Sequence, residues 1–287
     1  MLVMEGKWNQ NKYTIIEKIG EGAFGKLFKG KNARGDTIAI KISSNTSSIT
    51  REYYIMDKLK CLDCVPRVYD YDDWELKNTI YHFIVMDYIQ GDNLKEYSKK
   101  NNLKLKTVFN IGLHMAIFLE DVYRIGFKYT DIKLENVLID ENKNIFFVDF
   151  GGVVEKSSST VEFTPSYNMI SWRNSNYVNY KENIIFSTTM ILITLIFNRE
   201  YNPILFDLRD IILKVEASKL NMNVKTFLKR GLMGTYKSLR KYKIDLIKLS
   251  CTSQSPCREF NKIDYFFIGS IIFFALSIIY GFKVWFF

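Results

Sequence analysis

The hydrophobic period of this chain changes once, near Gly91, and that change limits its fold more than any other feature. Before it, apolar and polar residues alternate over 13–19, 26–29, 36–42 and 80–88, with a further strand pattern after Pro66. A single helical pattern at 51–60, with Tyr54, Ile55 and Leu59 on one side, interrupts them behind a polar loop at 43–48. After it, 93–100, 105–126, 184–198 and several segments beyond Pro203 repeat at the helical period, around a hairpin formed by 137–139 and 145–148. Strands gathered at one end and helices at the other predict an α+β chain. A small β-rich lobe would occupy 12–90 and a larger helical lobe 91–250, with a cleft where they meet.

Composition removes several alternatives. A chain of 287 residues that is 47% hydrophobic and 25% charged has ample core material, which excludes a mainly disordered protein. Four cysteines are too few and too scattered for a disulfide scaffold. Cys61 and Cys64 have metal or redox spacing, but Cys251 and Cys257 lie at the wrong separation for a zinc ribbon, so reduced thiols are expected. His82 and His114 fall on a strand and a helix and read as structural.

The net charge of +9 is concentrated: residues 211–264 hold twelve Lys and Arg against four Asp and Glu. Lys229, Arg230, Lys237, Arg240, Lys241 and Lys243 are the candidates for binding an anionic partner, either lipid headgroups or DNA. Residues 265–282 then carry no charge for 18 positions, about 27 Å of helix or one hydrocarbon thickness. Basic residues precede this run, which puts that side in the cytoplasm, and Lys283 can snorkel at the far end. The predicted organisation is therefore a basic juxtamembrane segment at 251–264 and a single-pass C-terminal anchor at 265–287 in the cell membrane. The shorter apolar run at 184–197 reads as a core helix, and the N-terminus lacks the pattern of a signal peptide.

Four groups of residues could carry chemistry. Gly20, Gly22 and Gly25 lie between two strand patterns, where backbone N–H groups can approach phosphates without a Cβ in the way. Lys41 ends a strand and could reach an anion, with Glu52 on the next helix to hold its ammonium. Asp131, Lys133 and Asn136 share one loop: a carboxylate to orient a hydroxyl, an ammonium to neutralise a phosphoryl oxygen, and an amide oxygen for a cation. Asp149, followed by Phe150 and Gly151, stands at a strand end as a metal ligand.

In this order and spacing the four groups resemble the signature set of protein kinases, over about 12–250. The chain looks like a Hanks-type bacterial Ser/Thr protein kinase. The resemblance implies a bilobal fold with ATP in the cleft and Mg²⁺ or Mn²⁺ as cofactor. It implies that Gly20, Gly22 and Gly25 cover the phosphates, that Lys41 contacts them and pairs with Glu52, and that backbone near Met86 and Tyr88 reads adenine. Asp131 would be the catalytic base, Lys133 would contact the γ-phosphate, and Asn136 and Asp149 would bind the metal. Thr164 resembles the Thr of the substrate loop in kinases that phosphorylate Ser and Thr, which favours those hydroxyls over Tyr, and the family resemblance implies protein substrates and self-phosphorylation in trans.

The chain departs from the family pattern in four places. Tyr129 and Thr130 replace the His-Arg pair before the catalytic Asp, so the usual partner of a phosphorylated activation loop is missing, although Ser157, Ser158, Ser159 and Thr160 could accept phosphate. The Ala-Pro-Glu motif is not recognisable after Tyr167. Asn183 and Ile184 stand where the long helix should begin with Asp, and the stretch from Lys41 to Glu52 is short. With its apolar tail the chain is similar to the small tail-anchored, YabT-like kinases of spore-forming bacteria, in which DNA is a plausible activating ligand. The departures leave a membrane-tethered pseudokinase scaffold as the alternative, ahead of a small-molecule phosphotransferase.

Overall fold

The computed structural model describes residues 2–22, 25–159, 162–173 and 179–252. Apart from Cys251 and Thr252, the segments expected at 251–264 and 265–287 lie outside the described residues.

The strand patterns before Gly91 form one antiparallel sheet of six strands: β1 (Leu2–Glu5), β2 (Lys12–Gly22), β3 (Gly25–Asn32), β4 (Thr37–Ser43), β5 (Val68–Leu76) and β6 (Thr79–Asp87). Their order across the sheet is β1-β2-β3-β4-β6-β5. β4 shows why the sheet has two apolar faces. Ile38, Ile40 and Ile42 pack on one side with Met4, Tyr13, Ile15, Trp74, Phe83 and Val85. Ala39 points the other way, into the core shared with Ile84, Met86 and the helices.

Helix α1 (Thr46–Leu59) starts five residues before the expected position. Asn45 caps it by accepting a hydrogen bond from Ser48 N at 3.0 Å, so residues read as a polar loop form its first turn. Its buried side is Glu52, Ile55, Met56 and Leu59, with Tyr54 exposed rather than on the apolar face.

The chain leaves the sheet through residues 88–90. Short β7 (Gly91–Asn93) then pairs with β9 (Val137–Asp140), itself paired with β10 (Ile145–Phe147). β8 (Phe127–Tyr129) pairs with β11 (Val153–Glu155). Around them lie α2 (Leu94–Lys100), α3 (Leu105–Ile125), short α4 (Met169–Arg173), α5 (Tyr180–Phe197), α6 (Leu208–Ala217), α7 (Met222–Met233) and α8 (Leu239–Thr252).

α5 is buried from Ile184 to Leu195, so the one helix among the described residues that is long and apolar enough to cross a membrane is the central core helix of this lobe. It begins at Tyr180, one turn before the position read from the sequence, because Asn179 caps it. Gly112 lets α3 approach it: a Cβ there would stand 2.7 Å from Leu192 Cδ2.

Candidate active site

The sheet supplies one wall of the cleft. Gly22 and Gly25 face each other at the β2–β3 turn, and Gly20 pairs with Leu27. Gly25 has φ +141°, and a Cβ there would stand 2.5 Å from the Ile42 carbonyl, so only glycine fits. Lys41, near the end of β4, donates to Glu52 Oε1 at 2.7 Å and to Asp149 Oδ1 at 3.3 Å. The Lys41 and Glu52 side chains are 12% and 2% exposed, which makes this a buried pair rather than a surface bridge. Burial opposes the Lys41 ammonium, but the carboxylates of Glu52 and Asp149 more than offset it and raise its pKa. Burial raises Glu52 as well, against the attraction of Lys41.

The other wall is built on the loop after β8. Asp131, 5% exposed, collects three side chains. Thr164 Oγ1 donates to its Oδ1 at 2.7 Å, Lys133 donates to its Oδ2, and Asn136 Nδ2 bonds its carbonyl at 2.9 Å and its Oδ2 at 3.3 Å. Burial works against the Lys133 ammonium, and Asp131 and then Asp149 more than offset it, so Lys133 is raised. Asp149 has φ +62°, a left-handed conformation that Asp tolerates better than most residues and that costs about 1 kcal/mol. Its carboxylate is 43% exposed toward the cleft. The sequence-predicted residues thus form two contact groups, Lys41 with Glu52 and Asp149, and Asp131 with Lys133, Asn136 and Thr164, and the charge of Asp149 acts on Lys133 between them. Met86 is the penultimate residue of β6, between Ala39 and Val68, and Tyr88 follows that strand in the crossing, with Lys29 Nζ 4.7 Å from its ring centre.

The donor set suits a hard divalent cation. Asn136 spends its amide nitrogen on Asp131, which leaves its carbonyl oxygen for a ligand, and Asp149 adds an accessible carboxylate. Few protein oxygens in an open cleft fit Mg²⁺, which keeps water and substrate phosphates in its shell. Among the described residues no group of three or more His, Cys, Asp and Glu is arranged to hold a metal ion by itself. Cys61, Cys64 and Cys251 are free.

Residues to which the sequence assigned no positive role hold this loop in place, three of them (Tyr129, Thr130 and Asn183) noted only as departures from the family pattern. Tyr129 packs edge-on against Phe118 and Phe150, with ring centres 5.5 Å and 5.8 Å away, and its hydroxyl donates to Val148 O at 2.6 Å. Burial, reinforced by Asp149 and Asp131, pushes its pKa well up, so it stays a donor. Tyr180 accepts from Tyr129 N at 2.8 Å and donates to Tyr129 O at 3.0 Å. Asn183 accepts from Met169 N at 3.0 Å. Thr130 Oγ1 lies 2.7 Å from Gly152 O and 2.6 Å from Glu162 O, sharing one proton between two parts of the activation segment. Arg51, beside Glu52 on α1, donates to Gly151 O at 2.6 Å. The Glu162 carboxyl is raised by burial first and by Asp131 second, which places a further acidic group in the field of this site. The only signal for these residues was the absence of the usual ones.

His82 also has a partner that linear order hid. It lies opposite Asp73 in the β5–β6 ladder, with Nδ1 2.6 Å from Asp73 Oδ1 and Nε2 2.6 Å from Thr46 Oγ1.

The basic residues of the C-terminal segment are largely engaged. Lys229 pairs with Glu216, Arg230 with Asp245 at 3.5 Å, Lys241 with Asp245 at 3.2 Å, and Lys243 with Glu120. Among the described residues, Lys237 and Arg240 have no ion-pair partner.

Comparison with known proteins agrees with this geometry. The family model described as "Protein kinase domain" matches residues 13–255. The serine/threonine-protein kinase YabT of Bacillus subtilis is 25% identical over 250 residues, covering 85% of this chain and 73% of that protein. A probable serine/threonine-protein kinase of Clostridium perfringens is 28% identical over 57% of this chain and 24% of its own length. Casein kinase I homolog 3 of Schizosaccharomyces pombe is 33% identical over 48% of this chain and 33% of its own length.

Proposed function

The chain belongs to the protein kinase domain family and is a protein-serine/threonine kinase, and on that premise we propose how its cleft moves a phosphoryl group from ATP to a Ser or Thr hydroxyl. The observation that carries the proposal is the contact of Lys41, from the sheet, with Asp149, from the helical lobe, at 3.3 Å. It joins a phosphate-binding ammonium to a cation-binding carboxylate across the cleft.

The backbone of Gly20, Gly22 and Gly25 covers the phosphates, Lys41 neutralises them, and Glu52 holds Lys41 in place. The strand end and crossing at Met86 and Tyr88 receive the adenine. Asp131 accepts the hydrogen bond of the acceptor hydroxyl and takes its proton as the phosphoryl group transfers. Lys133 neutralises the transferred group's oxygens. Asn136 and Asp149 would hold Mg²⁺, which supplies charge stabilisation at the phosphates. Thr164, already bonded to Asp131, lies where an acceptor must approach and favours small hydroxyl side chains. Most of the rate gain then comes from positioning and fixed charge.

The test is transfer of labelled γ-phosphate from Mg-ATP to the chain itself or to a basic protein. Equal label from the wild type and Asp131→Asn refutes the mechanism, and a membrane-tethered scaffold takes its place.

We further propose that 265–287 anchors the kinase to the membrane with its catalytic lobes in the cytoplasm. The support is the 18-residue uncharged run behind basic residues. Extraction of the full chain by alkaline carbonate overturns this reading. Of the six basic candidates for an anionic partner, Lys237 and Arg240 are the ones with no ion-pair partner among the described residues.

A further inference from the structure

Helix α8 carries an outer face that its packing does not explain. At 100° per residue, Leu239, Tyr242, Leu246 and Ser250 point inward and are buried. The opposite stripe is Arg240, Lys241, Ile244, Ile247, Lys248 and Cys251, all exposed. Ile244 and Ile247 stand 38% and 46% exposed in the midst of the cations.

A helix facing water alone gains nothing from two bare isoleucines one turn apart. DNA would use the cations but not the isoleucines. The headgroup layer of an anionic bilayer uses both, taking apolar side chains below and cationic ones at the phosphates. Position along the chain favours the same occupant. Twelve residues separate Thr252 from Tyr265, where the apolar run begins. Fully extended they span at most about 45 Å, so α8 stays within reach of the surface in which that run would insert.

We propose that this stripe of α8 lies against the anionic headgroup layer and docks the catalytic domain on the membrane. The proposal rests on the C-terminal anchor and adds a second, surface-bound contact to it.

Cys251 lies on the stripe and serves as its reporter. In a full chain with Cys61→Ser and Cys257→Ser, Cys251 is labelled with a fluorophore near neutral pH. Half-buried Cys64 reacts slowly there, because burial pushes its thiol up to about 11. The labelled chain is placed in nanodiscs carrying a lipid quencher at headgroup depth. Phosphatidylglycerol discs should quench the label at least about threefold more than phosphatidylcholine discs. Ile244→Ser/Ile247→Ser and Arg240→Gln/Lys241→Gln should each remove most of that difference, with thermal melting to show that the variants are folded. Co-elution with the discs reports the anchor separately. Co-elution with equal quenching in the two lipids, or with quenching unchanged in both variants, overturns the stripe alone. Failure to co-elute overturns the anchor and the stripe with it. Protection of the label by duplex DNA, without quenching in anionic discs, assigns the face to DNA and overturns the proposal.

Discussion

Lys41, Glu52 and Asp149 tie the phosphate side of the site together with full charges, whereas Tyr129, Thr130 and Tyr180 hold the backbone of the loop around Asp131 with neutral hydroxyls. The charged side keeps the residues that the family pattern requires. The neutral side has lost His, Arg and Asp, yet its backbone is tied down at Tyr129, Gly152 and Glu162. The difference follows from what each residue must do. Binding a phosphate or a divalent cation takes a charge of one sign at one point, and few side chains supply it. Fixing a peptide group takes one donor or acceptor at the right distance, and many side chains can reach.

The two sides should therefore break differently. Asp131→Asn is expected to have the largest effect, lowering turnover by about 10²–10⁴ because the carboxylate that receives the acceptor proton is gone. Melting temperature should fall only modestly: Asn keeps the size and can still accept from Thr164, but its amide nitrogen would face the donors of Lys133 and Asn136. Single-turnover transfer with labelled ATP measures it, and a loss under about tenfold would move the catalytic carboxylate elsewhere.

Tyr180→Phe comes next and probes the neutral side. It leaves the N–H of Tyr129 unpaired in a buried loop, at a cost of about 1–3 kcal/mol. Both melting temperature and turnover should fall, turnover by about tenfold, with ATP affinity nearly unchanged. A variant that loses ATP affinity instead would show that the two sides are not separable.

Glu52→Gln sharpens the charged side through pH. Lys41 is raised because Glu52 and Asp149 outweigh burial. Removing the Glu52 charge leaves burial opposed by Asp149 alone, so the Lys41 pKa falls. Activity that needs the ammonium is present below that pKa and lost above it, so the alkaline limb of kcat/KM for ATP should move to lower pH. An unmoved limb would remove Lys41 as the group it reports.

The same contrast explains what could be read in advance. The strands around Ile38, Ile40 and Ile42 were legible because one period runs through them, and the core helix at 184–197 because it is an uncharged apolar run shorter than a membrane span. Gly25, Lys41 and Asp149 were legible because their chemistry restricts residue type. The start of α1 was not, because its cap rests on a single Asn45 side chain inside a polar run. Tyr180 was not, because it lies 51 positions from its partner and a tyrosine before an apolar helix reads as packing. The pairing of Lys243 with Glu120 likewise joins residues 123 apart, so the charge count along 211–264 overstated the free cations.

The smallest expected effect is the most informative about regulation. In the presence of an arginine before the catalytic Asp, a phosphate on the activation loop gives that cation its partner. Here Thr130 ties Gly152 and Glu162 together at 2.7 Å and 2.6 Å, and Arg51 is already spent on the Gly151 carbonyl. A phosphate on Ser157, Ser158 or Ser159 would find neither of them free. Phosphatase-treated full chain, and the Ser157→Ala/Ser158→Ala/Ser159→Ala/Thr160→Ala variant, should retain turnover within about twofold of the untreated enzyme. Thr130→Val keeps the shape but removes the shared proton, and it should lower turnover several times more than the loss of every loop phosphate. If dephosphorylation costs more than Thr130→Val, the neutral tie is incidental and loop charge orders the segment after all.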